Sequence, residues 1–234
     1  MAGETIKAEA ICLDIRPWSR TSHVVSWLTP TGKVVTVVKG AVRAKSLFLG
    51  QYDLNYSCDI VYYARAKGEL HALREAVPVE MREGLREDYR KLALAGYFRR
   101  LVAELAPMGE ECRAWYEELG RVLSCLVPCA SCLVRFELEV LRLSGLAPDF
   151  SEFDKNAEWS AFSIETGTFG SSEGRCIRVS REVAEYLANG AENAKNSQLP
   201  LDAARVIGVF YQFHLDCAAN VRRTVLEMIS NQGR

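Results

Sequence analysis

Several marks of enzymes and membrane proteins are missing from this sequence. It has no run of eighteen apolar residues, so no membrane-spanning helix is expected. It has no GxxxxGK(S/T) phosphate loop, no GxGxxG and no HExxH motif, and its three histidines lack a partner that would suggest a catalytic triad. The segment MAGETIKAEA contains acids and lacks the apolar core of a signal peptide. These absences favour a cytosolic protein that is not an enzyme.

Acidic residues are also missing between Ile15 and Tyr52, although the whole chain has a formal charge of only −1. The same window carries Trp18, Trp27 and Phe48. Basic groups mixed with aromatic rings suit nucleic acid, because phosphates pair with cations and bases stack on rings. The other interpretation is a solvated basic face over a small sheet. The basic residues of the window are Arg16, Arg20, Lys33, Lys39, Arg43 and Lys45.

The first eighty residues read as strands. Their β-branched and alternating patterns predict five short strands, over 5–15, 22–28, 33–39, 54–62 and 70–76, with Ala66-Lys67-Gly68 as the last turn. Five short strands without a helical pattern between them predict a small closed barrel of the OB-fold type. In this barrel Trp27 is expected in the core. Trp18, in a loop beside two arginines, would either stack on a base or plug the barrel.

After Pro78 the apolar period changes from 2 to 3.6, which marks a domain boundary. The sequence therefore predicts an α+β protein, with an OB-fold barrel over 1–79 and a helical domain over 80–234. Within the helical domain, residues 150–179 are expected to form a small irregular or hairpin insertion. The predicted helices cover about 86–105, 115–126, 130–144, 181–189 and 206–228. Ser180 is expected to cap the fourth of them. The last helix is either continuous or broken near 218–220.

Four short motifs follow one another in the barrel sequence: Leu28-Thr29-Pro30, Gly32-Lys33, Lys39-Gly40 and Arg43-Ala44-Lys45-Ser46. In this order and spacing they resemble the N-terminal barrel of the RecO recombination-mediator family. The segments VRFELEVLRLSGLAPDF and HLDCAANVRRTVL resemble helices of the same family.

The resemblance implies a protein that binds single- and double-stranded DNA and anneals complementary strands. It further implies a role in loading a recombinase onto DNA coated by single-stranded DNA-binding protein. A RecR-like protein and, indirectly, RecA would be partners, in the cytoplasm and associated with the nucleoid. A non-enzymatic adaptor, with an OB barrel and a helical partner-binding domain, is the alternative. The candidate nucleic-acid-binding residues are Arg16, Trp18, Arg20, Lys33, Lys39, Arg43 and Lys45.

The family's zinc module is altered in this sequence. Where zinc-bearing members have a first CxxC, the matching positions read Phe153-Asp154-Lys155-Asn156, and the second CxxC is reduced to Cys176. A closed zinc site needs four ligands, so no zinc and no other cofactor are expected. A hairpin that turns at Thr166-Gly167 is expected to carry an apolar cluster of Trp159, Phe162, Ile164 and Phe169 instead.

The segment Cys129-Ala130-Ser131-Cys132 is a CxxC motif elsewhere in the chain. With Cys125 it has the i, i+4, i+7 spacing of one helix face, which favours buried core thiols. A metal half-site or a redox pair, and hence a thiol or metal enzyme, remain the alternatives.

Two arginine pairs are candidates for a partner surface. Arg99-Arg100 and Arg222-Arg223 are either solvated helix faces or parts of a groove. The resemblance implies that the helical domain receives the acidic, apolar C-terminal tail of single-stranded DNA-binding protein, and arginine pairs carboxylates well. The candidate partner-binding residues are Tyr97, Arg100, Arg222 and Arg223.

Overall fold

The structure is a computed structural model that describes residues 4–65, 70–108, 111–170, 174–192, 194, 196, 198–215 and 219–230. Its contacts divide the chain into two compact units, Met1–Leu126 and Val127–Arg234. The predicted turn at Ala66-Lys67-Gly68 and the cysteine Cys217 lie outside the described residues. None of the helices in the described ranges is long and apolar enough to cross a membrane.

Five strands form a closed barrel in the first unit, which confirms the predicted α+β class with an OB-fold barrel. The neighbour order is β1-β2-β3-β5-β4, and antiparallel pairing of β1 with β4 closes the barrel. The first strand is longer than predicted, so Trp18 lies on a strand and not in a loop. The strands are β1 (Thr5–Ser19), β2 (Ser22–Thr29), β3 (Gly32–Val38), β4 (Ser57–Tyr63) and β5 (Leu70–Glu80).

The hairpin of β2 and β3 fixes where the basic residues lie. Its register pairs His23 with Val38 and Leu28 with Lys33. At the other side of β2, Ser19 of β1 pairs with Ser22. Residue 39 therefore follows β3 at the barrel end that carries the β1–β2 turn, whereas Lys33 lies at the opposite end.

The interior of the barrel is centred on Trp27, which is fully buried as predicted. Its indole Nε1 donates a hydrogen bond of 2.9 Å to Oγ1 of Thr36, so its polar group is satisfied inside the core. Tyr52 packs edge-on against Trp27, with 5.9 Å between ring centroids, and its hydroxyl lies 2.9 Å from Nδ1 of His23. Tyr52 thereby ties the loop after β3 to the barrel core.

Two helices complete the first unit, α1 (Tyr89–Leu105) and α2 (Arg113–Ser124), and both pack against β1. Asp88 caps α1 by accepting a hydrogen bond of 2.9 Å from the backbone N–H of Arg90. Arg99 of α1 donates to the carbonyl oxygen of Leu13, where the β1 register shifts. The two helices therefore cover part of the barrel surface along β1.

The second unit combines helices with a three-stranded sheet of order β7-β6-β8. Ser180 caps α4 as predicted, because its Oγ accepts from the backbone N–H of Val183 at 3.4 Å. The expected C-terminal helix is interrupted and forms two helices. The elements are α3 (Ala130–Leu143), β6 (Trp159–Ser163), β7 (Thr168–Phe169), β8 (Cys176–Ser180), α4 (Arg181–Ala188), α5 (Leu199–His214) and α6 (Ala219–Ser230).

An apolar cluster lies on the small sheet, in the region where the sequence predicts a hairpin insertion over residues 150–179. Phe162 is fully buried and stacks on Phe150, with 4.9 Å between ring centroids. The hairpin turns at Gly167, whose φ of 71° favours glycine. The prediction for Trp159 was wrong: it is 45% exposed, because strand alternation turns it away from the face that carries Phe162. Among the described residues, no group of three or more His, Cys, Asp or Glu could hold a metal ion.

The three cysteines near residue 130 do not share one helix face, contrary to the prediction. α2 ends at Ser124 and α3 begins at Ala130, so Cys125 and Cys129 lie at helix ends. Pro128 explains the interruption, because proline has no N–H and disfavours helical geometry in the residue before it. Cys125 is exposed, and Cys129 and Cys132 are partly buried.

A buried ion pair joins three helices of the second unit. Glu137 of α3 is fully buried, and its two carboxylate oxygens accept hydrogen bonds of 2.7 and 2.8 Å from Arg222 of α6. Arg222 also donates to the carbonyl oxygen of Ala204 in α5 at 2.7 Å. A Cβ at Gly208 would collide with the guanidinium of Arg222, so glycine leaves the space that the guanidinium occupies.

Removing the buried carboxylate should destabilise the second unit strongly. We expect Glu137→Ala to lower the free energy of unfolding by about 3–5 kcal/mol, because the Arg222 charge would be left without its partner. The matched control is Glu139→Ala on the same helix, whose ion pair with Arg142 is exposed and should contribute less than about 1 kcal/mol. Urea unfolding followed by circular dichroism measures both, and equal effects would contradict the role given to the buried pair.

Candidate nucleic-acid interface

Three of the residues that the sequence singled out line one groove at the end of the barrel. The groove has a volume of about 450 Å³ and is bordered by Trp18, Lys39 and Arg43, together with backbone and small side chains of the β1–β2 turn. Trp18 is 64% exposed, so its ring lies on the surface and does not plug the barrel. An exposed indole beside two cations can offer a stacking face and phosphate contacts in the same place.

Most cations at this end of the barrel do not form ion pairs with other residues that the structure describes. Arg20, Lys39, Arg43 and Lys45 are exposed, and none of them pairs with a carboxylate in the part of the chain that the structure describes. Arg16 is exposed as well, but its guanidinium contacts Asp14 at 2.5 Å. Four cations without acidic partners leave a positive field that would attract a polyanion.

The backbone after β3 holds Arg43 over the groove. Gly40 has a φ of 68°, and a Cβ there would lie 3.2 Å from Cδ of Arg43. The N–H of Gly40 donates to Oγ of Ser22 at 3.3 Å, and the N–H of Val42 donates to the carbonyl of Thr21 at 3.3 Å. These bonds attach the basic loop, residues 39–50, to the β1–β2 turn. Gly40 of the Lys-Gly pair therefore helps to position this loop.

Lys33 does not join the other basic residues. It lies at the opposite end of β3, where its Nζ donates a hydrogen bond of 3.0 Å to the carbonyl of Ala103 in α1. Burial lowers the pKa of its ammonium group. We therefore assign Lys33 to the contact between barrel and helix.

The four candidate partner-binding residues have different surroundings. Tyr97 is fully buried in α1, and Arg222 is held by Glu137 and Ala204, so both have structural positions. Arg100 is exposed in the first unit and pairs with Glu104 at 2.7 Å. Arg223 is exposed on α6 in the second unit.

A groove between α5 and α6 was missed by the sequence interpretation. It has a volume of about 390 Å³, and Arg205 and Arg223 border it together with the apolar side chains of Val209, Leu215 and Leu226. Arg205 pairs with Asp202 at 2.5 Å, whereas no carboxylate within the described ranges pairs with Arg223. The signal in the sequence was Arg222-Arg223, but only the packing of Arg222 shows which of the two faces solvent.

Lysine substitutions at the two ends of β3 should distinguish a lysine that contacts DNA from one that joins the barrel to α1. On single-stranded DNA, we expect Lys39→Met to reduce the slope of log affinity against log salt by about 0.7, the amount for one phosphate contact. Lys33→Met should leave the slope unchanged, because its ammonium group is bound to Ala103. Fluorescence anisotropy across a salt series measures both, and a reduced slope for Lys33→Met would overturn the assignment of that residue.

Comparisons with known proteins cover nearly the whole chain. The family model described as Recombination protein O N terminal matches residues 1–82, and the model described as Recombination protein O C terminal matches residues 86–218. A curated relative, DNA repair protein RecO from Alkaliphilus metalliredigens (strain QYMF), is 30% identical over 178 residues, which are 74% of this chain and 70% of that protein. With the barrel, these matches show that the chain belongs to the RecO family of DNA repair and recombination proteins.

Proposed function

We propose that this protein is a recombination mediator that binds single- and double-stranded DNA at the barrel end that carries the β1–β2 turn. Phosphates would contact Arg16, Arg20, Lys39, Arg43 and Lys45, and a base would stack on Trp18. The observation that carries the proposal is the groove in which Trp18, Lys39 and Arg43 meet. Trp18 precedes Lys39 by 21 positions in the sequence, and the barrel register brings it beside Lys39 and Arg43 and their unpaired cations.

The mechanism is non-covalent. Two complementary strands repel each other through their phosphates, and a positive surface that binds both reduces that repulsion. Stacking on Trp18 would hold bases without regard to sequence, because every base has an aromatic face. The protein would therefore speed the annealing of strands and would help load a recombinase, with a RecR-like partner, onto DNA coated by single-stranded DNA-binding protein. Such a role places it in the cytoplasm at the nucleoid.

The groove between α5 and α6 is the place that we propose for the tail of single-stranded DNA-binding protein. That tail is acidic and apolar, and the groove offers apolar walls with Arg223 at its border. Arg222 contributes to the wall while its charge is taken by Glu137. We leave Tyr97 out of the partner surface, since its side chain is buried.

Reversing two charges at the groove should weaken DNA binding. We expect Lys39→Glu combined with Arg43→Glu to weaken binding to every DNA sequence alike and to slow annealing of complementary oligonucleotides. The salt slope should fall by about 1.4 on single strands, since two phosphate contacts are lost. A matched control reverses two exposed charges of the second unit, Arg135→Glu with Arg142→Glu. Salt-insensitive binding by the unaltered protein would instead favour the protein adaptor.

A charge reversal on α6 tests the proposed tail groove. We expect Arg223→Glu to weaken binding of a synthetic tail peptide by about tenfold or more, because a charge-assisted hydrogen bond contributes about 1.5–3 kcal/mol. Isothermal titration calorimetry measures the affinity. Arg100→Glu is the comparison in the other unit and should leave the affinity unchanged. If Arg100→Glu weakens binding of the peptide and Arg223→Glu does not, the tail binds to the first unit and the assignment to α5 and α6 is wrong.

A further inference from the structure

One leucine in the basic loop is almost fully exposed. Leu47 lies between β3 and β4 and is 91% exposed, more than any other large apolar side chain among the described residues. Val42 and Leu49 in the same loop are each 50% exposed. Lys45 lies two positions before Leu47, and Arg43 two positions before that. The loop therefore carries an exposed apolar residue at its tip and two cations between that residue and the groove.

The backbone of this loop is held in successive tight turns. The N–H of Ser46 donates to the carbonyl of Arg43 at 2.8 Å, and the N–H of Gln51 donates to the carbonyl of Phe48 at 3.2 Å. Phe48, next to Leu47, packs against the core cluster of the barrel. Leu47 is therefore exposed directly beside a residue that is anchored on the core. The exposure of Leu47 is thus a property of an anchored loop.

We propose that Leu47 is a wedge that inserts between stacked bases where a duplex meets a single strand. The proposal rests on the proposed function, because Arg43 borders the groove that would bind the single strand. Nucleic acid combines negative phosphates with flat apolar base faces, which matches cations around an exposed leucine. Apolar side chains of this type unstack base steps in other DNA-binding proteins. Inserted at a junction, Leu47 would separate the last base pair while Trp18 and Arg43 hold the released strand.

The test uses a duplex with a single-stranded tail and 2-aminopurine at the last base pair. Its fluorescence rises when the base loses its stacking partners, so the unaltered protein should raise the signal at saturation. We expect Leu47→Ala to remove most of this rise and to weaken junction binding by about tenfold, the effect of one leucine side chain that no longer buries. Affinity for a fully single-stranded oligonucleotide should change by less than about twofold, because phosphate contacts dominate it. Leu47→Met should keep the rise.

The matched control is Leu92→Ala, which shortens a 47% exposed leucine on α1 and should behave like the unaltered protein. If the unaltered protein binds DNA with a steep salt dependence but gives no fluorescence rise, the wedge is wrong and the DNA-binding proposal stands. An equal rise with Leu47→Ala would also overturn the wedge. Binding to vesicles of phosphatidylcholine and phosphatidylserine that depends on Leu47, without a rise on DNA, would assign the loop to a lipid surface. Absence of any salt-dependent DNA binding would reject both proposals.

Discussion

The pairing of β2 with β3 decides where the positive charge of this chain lies. Because His23 pairs with Val38 and Leu28 pairs with Lys33, Lys39 follows β3 at the barrel end that carries the β1–β2 turn, and Lys33 lies at the opposite end. A shift of one residue would also turn the alternating side chains of β3 to the other face and remove Thr36 from Trp27. The buried bond between Trp27 and Thr36 therefore helps to specify the register on which the candidate DNA site depends.

The same register connects the barrel core to the basic loop. Tyr52 packs on Trp27 and bonds to His23, while Phe48 packs against the core cluster. Gly40 and Val42 bond to the β1–β2 turn. The loop that carries Arg43, Lys45 and Leu47 is thus positioned by buried aromatic contacts and by backbone bonds. A binding surface that is positioned in this way needs little ordering when it meets a ligand, which favours affinity.

Local patterns in the sequence were sufficient for the number of barrel strands, though not for where each one begins or ends, for the burial of Trp27 and for the cap at Ser180. They also identified the acid-free window, because charge sorting is visible without a structure. Two of their failures depend on residues distant in the sequence. In the sequence Lys33 cannot be distinguished from the other basic residues of the window, because its partner, Ala103, is distant in the chain. Arg222 cannot be distinguished from Arg223 for the same reason, since its partner Glu137 lies 85 positions earlier. Trp159 was assigned to the cluster from its type alone, whereas strand alternation turns it outward. Pro128 is a local signal for the interruption between α2 and α3, but the prediction followed the spacing of the cysteines instead.

The central claim is that DNA binds at the barrel end formed by the β1–β2 turn and the basic loop. Amide hydrogen exchange of the protein with and without a saturating thymidine oligonucleotide tests this claim most directly, since it locates the contact without altering any residue. The account predicts slower exchange over residues 16–22 and 39–50 and little change around Lys33. Slower exchange confined to the second unit, with none over those two segments, would contradict it.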